Sequence, residues 1–407
     1  MKRLIYHIDV NNAFLSWESI QRLKEDPTST DLRTIPSAIC GDPEKRHGII
    51  LAKSPIAKKY HVTTAETIQS ALKKCPQLQL FPPRYWVYQQ YSSQFHTLLK
   101  EYTDCSEPFS IDEAFLDMTG TYHLFGDEIS TAHLIQERIN KEFGFTVNIG
   151  ISCNKILAKI ASDFEKPNKV HTLFSEEIQE KLWPLPIRNL LFAGRSTCKK
   201  LETLGIHTIG DFAKIDPAYI QSHLGKNGIT LYEYANGIDN SPVQKKKPEA
   251  KGYSNSVTLD HDVTSYAEAN QILLSLCETV AYRLRKDNVR ACVLSVQLKD
   301  CFFKNHSKQC TLTEPSNSTD TFHKQAISLF RTCWNGTTPI RLLGIHATKL
   351  ERNDFTQLSL FDWEKKEQNQ KLDHALDEIR NKFGTDAIMR ASFLNSTHDN
   401  IVDRKSK

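Results

Sequence analysis

Apolar residues fall in short runs along the first part of the chain, each closed by a polar or turn-forming cluster. The first run, Leu4-Ile5-Tyr6-His7-Ile8, reads as a strand and leads into Asp9-Val10-Asn11-Asn12. The asparagine pair supplies a helix cap ahead of Phe14, Leu15 and Trp17. Two further strand-like runs, 35–40 and 48–52, flank the polar turn Gly41-Asp42-Pro43-Glu44, and Lys53, Lys58 and Lys59 follow as a basic segment. Beyond Pro82-Pro83, residues 109–118 alternate as two strands joined at a tip. Leu134, Ile135 and Ile139 mark one face of a helix over 132–143, and 146–151 reads as a buried strand. A helix from Asn154 onward stops at Lys166-Pro167-Asn168. Strands alternating with helices in this order predict an α+β layout with helices on one face of the sheet.

Residues 176–238 are predicted helical, with glycine turns at Phe192-Ala193-Gly194-Arg195 and Leu204-Gly205-Ile206-His207-Thr208-Ile209-Gly210. Such turns present backbone amides suited to phosphate contact, although ordinary helix packing gives the same pattern. Lys245-Lys246-Lys247-Pro248-Glu249-Ala250-Lys251 reads as an exposed linker. After it come an amphipathic helix (272–284), three strand candidates (291–298, 309–312, 341–347) and a helix over 321–333. In the tail, Leu372, Ala375, Leu376, Ile379 and Phe383 share one helical face, and Gly384 is placed to end that helix.

A chain of 407 residues suggests two to four domains, and 39% hydrophobic with 25% charged residues is ordinary globular composition. The net charge of +4 is unevenly placed. Residues 245–362 carry 16 Lys/Arg against 12 Asp/Glu, while the rest balances, as expected if the later part meets a polyanion. The ten cysteines form no CxxC pair and no metal-ligand spacing, which speaks against a disulfide framework and for reduced thiols. No apolar stretch reaches the roughly 18 residues of a membrane span. Asp9 interrupts the N-terminal apolar run too early for a signal peptide, so the expected location is cytoplasmic.

The candidate chemistry lies in Ser110-Ile111-Asp112-Glu113. A regular strand would send adjacent acids to opposite faces, so the backbone must bend here. Asp9, at the end of the first strand, is a third candidate. Three carboxylates at strand ends can hold two divalent cations, the arrangement that drives in-line nucleotidyl transfer. Adjacent acids are more often simply solvated, and their neighbours decide the matter.

Those neighbours are ordered motifs: His7-Ile8-Asp9-Val10; Ser110-Ile111-Asp112-Glu113-Ala114-Phe115-Leu116-Asp117; Gly150-Ile151-Ser152 with Asn154-Lys155; and Ala158-Lys159 through Asp163 to Lys166-Pro167-Asn168. Over roughly residues 1–362 the chain resembles the Y-family of translesion DNA polymerases, in its bacterial DNA polymerase IV-like branch. The resemblance implies an α+β multidomain, right-hand-like polymerase. It has a palm (1–18 and 80–172), small fingers (19–79) and a helical thumb with helix-hairpin-helix-like turns (173–244). A basic linker (245–252) leads to an additional α/β little-finger domain (253–350), a clamp-binding segment (351–362) and a helical tail (363–407).

By the same resemblance, Asp9, Asp112 and Glu113 are the catalytic, metal-binding carboxylates, joined by the Val10 backbone carbonyl. The ions are two Mg²⁺, with Mn²⁺ as a substitute. Phe14 selects the deoxyribose, and Lys166, Lys58 and Ser54 serve the triphosphate. Arg285, Lys286, Arg290, Lys304 and Lys308 are candidate DNA contacts, and Gln357, Leu358, Leu360 and Phe361 resemble a sliding-clamp peptide. The implied partners are primer–template DNA, deoxynucleoside triphosphates and the clamp, with no membrane and a monomeric, nucleoid-associated enzyme. Two departures stand out. Pro55 and Lys58 occupy places where many relatives carry Tyr and Arg, which weakens bidentate phosphate contact. Asn11 and Ala13 replace an acid and an aromatic. The competing readings are a catalytically inactive polymerase-like adaptor that keeps the clamp and DNA contacts, and a nucleotidyl cyclase; retained acids oppose the first, and the basic later domain opposes the second.

Overall fold

The opening run forms β1 (Ile5–Val10), whose six residues are all buried. In the computed structural model, residues 3–42, 48–246, 248–352, 363–385 and 387–393 are described. Helix α1 (Ala13–Glu25) follows, but the asparagines do not cap it through their side chains. Asn12 takes the left-handed conformation, φ 50°. The Asn11 carboxamide instead accepts from Thr146 Oγ1 at 3.0 Å and from the Asn168 N–H at 2.9 Å, tying the end of β1 to two later segments.

The chain then builds a small layer from β2 (Ser37–Cys40), β3 (Ile50–Lys53), α2 (Pro55–Lys59), α3 (Ile68–Lys74) and β4 (Gln79–Phe81). Its sheet order is β3-β2-β4, and Ala38, Ile50, Ala57, Val62 and Ile68 pack as its own core. The return brings α4 (Tyr85–Leu99), β5 (Ser106–Pro108), β6 (Glu113–Asp117), α5 (Glu128–Phe143), β7 (Val147–Ser152), α6 (Lys155–Ser162) and β8 (Val170–Thr172). Asp127 and Asn154 cap α5 and α6 with side-chain oxygens, and Gly144 ends α5 at φ 82°.

The central sheet runs β5-β6-β1-β7-β8, with β1 antiparallel to both neighbours. Tyr6, Ile8, Leu116 and Ile149 join residues of α1, α4 and α5 in the main core. Ile5 and Phe115 lie on the opposite face against Ala158 of α6 and Val243. Helices therefore cover both faces of this sheet, not the single face expected. Gly150 explains how α6 comes so close: a Cβ there would stand 1.9 Å from the Ala158 carbonyl oxygen. Helix α6 ends at Ser162, four residues before the expected stop at Lys166. Helices α7 (Arg195–Thr203), α8 (Ile209–Ala213) and α9 (Pro217–Ala235) follow, the last interrupted at Gly225, φ 64°. Leu201, Ile209, Phe212, Ile220 and Leu231 give this helical part a separate core.

All of this belongs to one compact unit, and the chain from Pro248 onward builds another. Its elements are β9 (Gly252–Val263), α10 (Tyr266–Lys286), β10 (Arg290–Asp300), β11 (Asn305–Ser316), α11 (Thr319–Cys333), β12 (Ile340–Glu351) and α12 (Trp363–Phe383). The sheet order is β11-β10-β12-β9, so a fourth strand, β9, joins the three expected. Leu294, Val296, Leu343 and Ile345 meet Leu276, Val280 and Phe322 of α10 and α11 in its core.

Helix α12 docks in an unexpected register. Leu372 and Phe383, from the predicted apolar face, are exposed, whereas Asp373 and Asp377 are buried. Both acids pair with Arg285, Asp377 at 2.6 Å and Asp373 at 3.3 Å. Asp373 also accepts the Thr319 N–H at 3.1 Å, which serves the free N-terminus of α11. A second buried cluster sets Glu278 between Arg380 at 3.3 Å and Arg390 at 2.5 Å.

Candidate active site and DNA interface

Asp9 and Glu113 are paired opposite each other in the β1–β6 register, which places them on one face of the sheet. His7 and Phe115 sit one pair further along that face. At the hairpin tip, Phe109 and Ser110 both donate backbone N–H groups to the Glu113 carbonyl, at 2.9 and 3.2 Å. Asp112 is held just beyond the strand end. Its carbonyl accepts the Val10 N–H at 3.0 Å, and its carboxylate accepts Ser110 Oγ at 2.6 Å. The bend inferred from the adjacent acids is therefore present, and β1 is bonded directly to it.

Lysines answer the acids. Lys159 Nζ is 2.8 Å from Glu113 Oε1, and Lys166 Nζ bonds Asp9 while lying 2.8 Å from Asp163. Burial pushes the Asp9 carboxyl up to about 6 against the pull of Lys166, and the charges of Glu113 and Asp112 add to the rise. Burial likewise raises Asp112. Burial acts upward on Glu113 too, but His7 and Lys159 overcome it and hold this carboxyl at about 2. His7 itself is pushed down to about 4 by complete burial, with its Nδ1 2.8 Å from Ser162 Oγ.

This donor set suits a hard divalent cation: three carboxylates crowd one end of the sheet, and their repulsion is relieved by ammonium groups. Among the described residues, no three His, Cys, Asp or Glu side chains are already gathered as ligands. Sites of the Mg²⁺ kind take a few carboxylates and complete their shell with water and substrate phosphates.

Phe14 is half-buried at the start of α1, stacked on Tyr88 with ring centroids 4.5 Å apart and edge-on to Tyr85 at 6.2 Å. Lys58 is exposed in the last turn of α2. Ser54 corrects the sequence reading. It is fully buried, and its hydroxyl accepts the N–H groups of Ala57 at 3.0 Å and Ser37 at 3.2 Å, so it caps α2 and does not face a nucleotide. Lys53 donates to Thr64 Oγ1 at 3.2 Å, and burial followed by the nearby Lys58 charge lowers its pKa.

In the second unit, Lys286, Lys304 and Lys308 are exposed and Arg290 is half-buried at the start of β10. Arg285 does not join them. Its side chain is only 7% exposed and is committed to Asp373 and Asp377, with further bonds to Asn317 and Thr319, so it cannot reach a phosphate. A surface that the sequence reading missed lies on the sheet face away from α10 and α11. There the register aligns Ser295 with His346 and with Gln309, Gln297 with Gly344, and Gly344 with Ser256. Alternating hydroxyl and amide residues between the apolar positions of these strands were the available signal. Gln357, Leu358, Leu360 and Phe361 lie outside the described residues.

The impB/mucB/samB family profile matches residues 8–163, its C-terminal domain 250–360, and a thumb domain described for DNA polymerase-iota 193–239. A protein of Clostridium acetobutylicum named DNA polymerase IV is 42% identical over 97% of this chain and 99% of its own length. One of Bacillus subtilis, named DNA polymerase IV 2, is 37% identical over 97% of this chain and 95% of its own. Among solved structures, a Y-family DNA polymerase chimera, Dbh-Dpo4(243-245)-Dbh, is similar with a TM-score of 0.73 and 22% identity, covering 86% of this chain and all of that one. The family models and the full-length relatives thus define a template-directed nucleotidyltransferase. The chain belongs to the Y-family of DNA polymerases, in the branch whose members are named DNA polymerase IV. It is a translesion DNA-directed DNA polymerase that uses primer–template DNA and deoxynucleoside triphosphates, in a family dependent on divalent metal. Among the described residues, no helix is long and apolar enough to cross a membrane.

Proposed function

We propose that Asp9, Asp112, Glu113 and the Val10 carbonyl are the metal cradle of this polymerase, and that it holds two Mg²⁺ ions, replaceable by Mn²⁺. The observation that carries the reading is the register pairing of Asp9 with Glu113 beside a bonded turn that brings in Asp112. When bound, the ions lower the pKa of the primer 3′-hydroxyl and neutralise the triphosphate and the departing pyrophosphate. The protein's own groups do the positioning. Lys159 fixes one oxygen of Glu113, while the other lies 3.8 Å from His7 Nε2. Lys166 is a compact point charge within reach of Asp9, suited to exchange that carboxylate for a triphosphate oxygen. Lys58 adds exposed charge, while Pro55 offers no donor, so the triphosphate grip is looser than with Tyr and Arg in those places. Primer extension by the wild type and by a variant lacking the Asp112 carboxylate tests the assignment.

Phe14 is assigned to sugar discrimination. The stack on Tyr88 fixes its ring, and a fixed aromatic face beneath the ribose clashes with a 2′-hydroxyl. Phe14→Ala raises ribonucleotide incorporation relative to deoxyribonucleotide by about 10²-fold or more, read in single-nucleotide extension. Unchanged sugar selectivity would leave Phe14 as a core residue only.

The palm, fingers, thumb and little-finger ranges given above are proposed as the functional divisions, with Lys286, Arg290, Lys304, Lys308 and the open polar sheet face meeting DNA. Such contacts are sequence-blind and weaken with salt. Gln357, Leu358, Leu360 and Phe361 are proposed to bind the sliding clamp, with leucine and phenylalanine filling an apolar pocket. A pull-down with immobilised clamp retains the wild type and loses a Leu360→Ala/Phe361→Ala double variant; equal retention of both refutes the assignment. The working form is a monomer at the nucleoid.

A further inference from the structure

The hairpin joining β10 to β11 ends in two phenylalanines that no part of the catalytic site uses. Phe302 is 80% exposed, the most exposed large apolar side chain among the described residues, and Phe303 is 62% exposed. The tip is firmly built. Asp300, itself buried, accepts the N–H groups of Phe302 and Lys304, both at 2.9 Å, and faces His306 Nε2 at 3.3 Å. Its carbonyl accepts the Phe303 N–H at 3.0 Å, and the Cys301 N–H is bonded to the Pro339 carbonyl at 3.0 Å. Phe303 is held at φ 64°, a conformation that bulky side chains rarely adopt. The backbone of the turn thus holds two phenylalanines out toward water.

The charge around them is one-sided. Arg341 lies over the Phe303 ring, 4.8 Å from its centroid, and Lys304 is exposed beside it. From Lys299 to His306 the only acid is Asp300, and its carboxylate is occupied inside the turn. Exposed aromatic faces flanked by cations match one ligand chemistry closely: an unpaired nucleobase, which offers a π-face, carried on a phosphate backbone. Duplex DNA, with its bases already stacked, offers such a tip only charge.

We propose that the β10–β11 tip is a stacking site for the unpaired bases of single-stranded DNA, with Phe302 as the stacking face and Lys304 and Arg341 on the adjoining phosphates. The test is fluorescence anisotropy with a labelled single-stranded oligothymidine and a labelled blunt duplex of equal length, using the full chain. Phe302→Ala is expected to bind the single strand about tenfold more weakly, with duplex affinity unchanged. Phe302→Tyr, which keeps the aromatic face, restores single-strand binding. Unchanged single-strand affinity in the alanine variant, or an equal fall for both ligands, overturns the proposal.

Discussion

Asp112→Asn is expected to lower nucleotide incorporation by on the order of a thousandfold, while DNA affinity and thermal unfolding stay near wild type. The magnitude follows from losing one anionic ligand of a cation that stabilises transition-state charge by several kcal/mol, where each 1.36 kcal/mol is tenfold in rate. The fold is spared because Asp112 binds the structure through atoms that asparagine keeps. Its carbonyl holds the Val10 N–H, and asparagine Oδ1 can still accept from Ser110. Removing a charge from beside the buried Asp9 also relieves repulsion on that carboxylate. Single-turnover extension with increasing Mn²⁺ measures the loss, and extension at the wild-type rate would remove Asp112 from the cradle.

Arg285→Ala is expected to release the tail helix. The substitution leaves Asp373 and Asp377 buried without their cation, a change that typically costs about 3–5 kcal/mol. Because α12 can lift away and return both acids to water, the effect appears as local undocking and not as collapse of the sheet. Limited proteolysis reads this directly, as faster cleavage within residues 368–385. The same variant separates the two roles considered for this arginine. A phosphate contact would lower the salt dependence of DNA binding by about one counterion, whereas an internal tether leaves it unchanged. Unaltered protection of α12 together with a shallower salt slope would return Arg285 to the DNA surface.

The acids and their order were legible because a bend between adjacent carboxylates is a local property, and Asp9 ends an apolar run that must be a strand. The α+β class followed from the same alternation. What escaped was set by distant partners. Nothing near Gly150 announces that its missing Cβ admits α6 to the second face of the sheet. Strand β9 alternates Ser, Asn and Thr with few apolar residues, and only pairing with β12 makes it a strand. The tail misled most. Periodicity selects Leu372 and Phe383, yet Arg285 and Thr319 select Asp373 and Asp377, because a buried guanidinium outweighs an apolar stripe in setting the register. Arg285 and Ser54 were misplaced for a related reason: charge and hydroxyl character are visible in a sequence, but prior commitment to an internal partner is not.

The central position of β1 has a consequence for the order in which the enzyme is made. Asp9 is synthesised well before its partners, since both strands that flank it, β6 and β7, come more than a hundred residues later. Until residue 117 has emerged, β1 has neither neighbour and the acid has no companions, and until residue 152 it still lacks β7. Pairings of such long range form late in folding. A nascent or truncated chain therefore carries its first carboxylate without an assembled catalytic centre, and competence arrives only when synthesis has passed the last central strand.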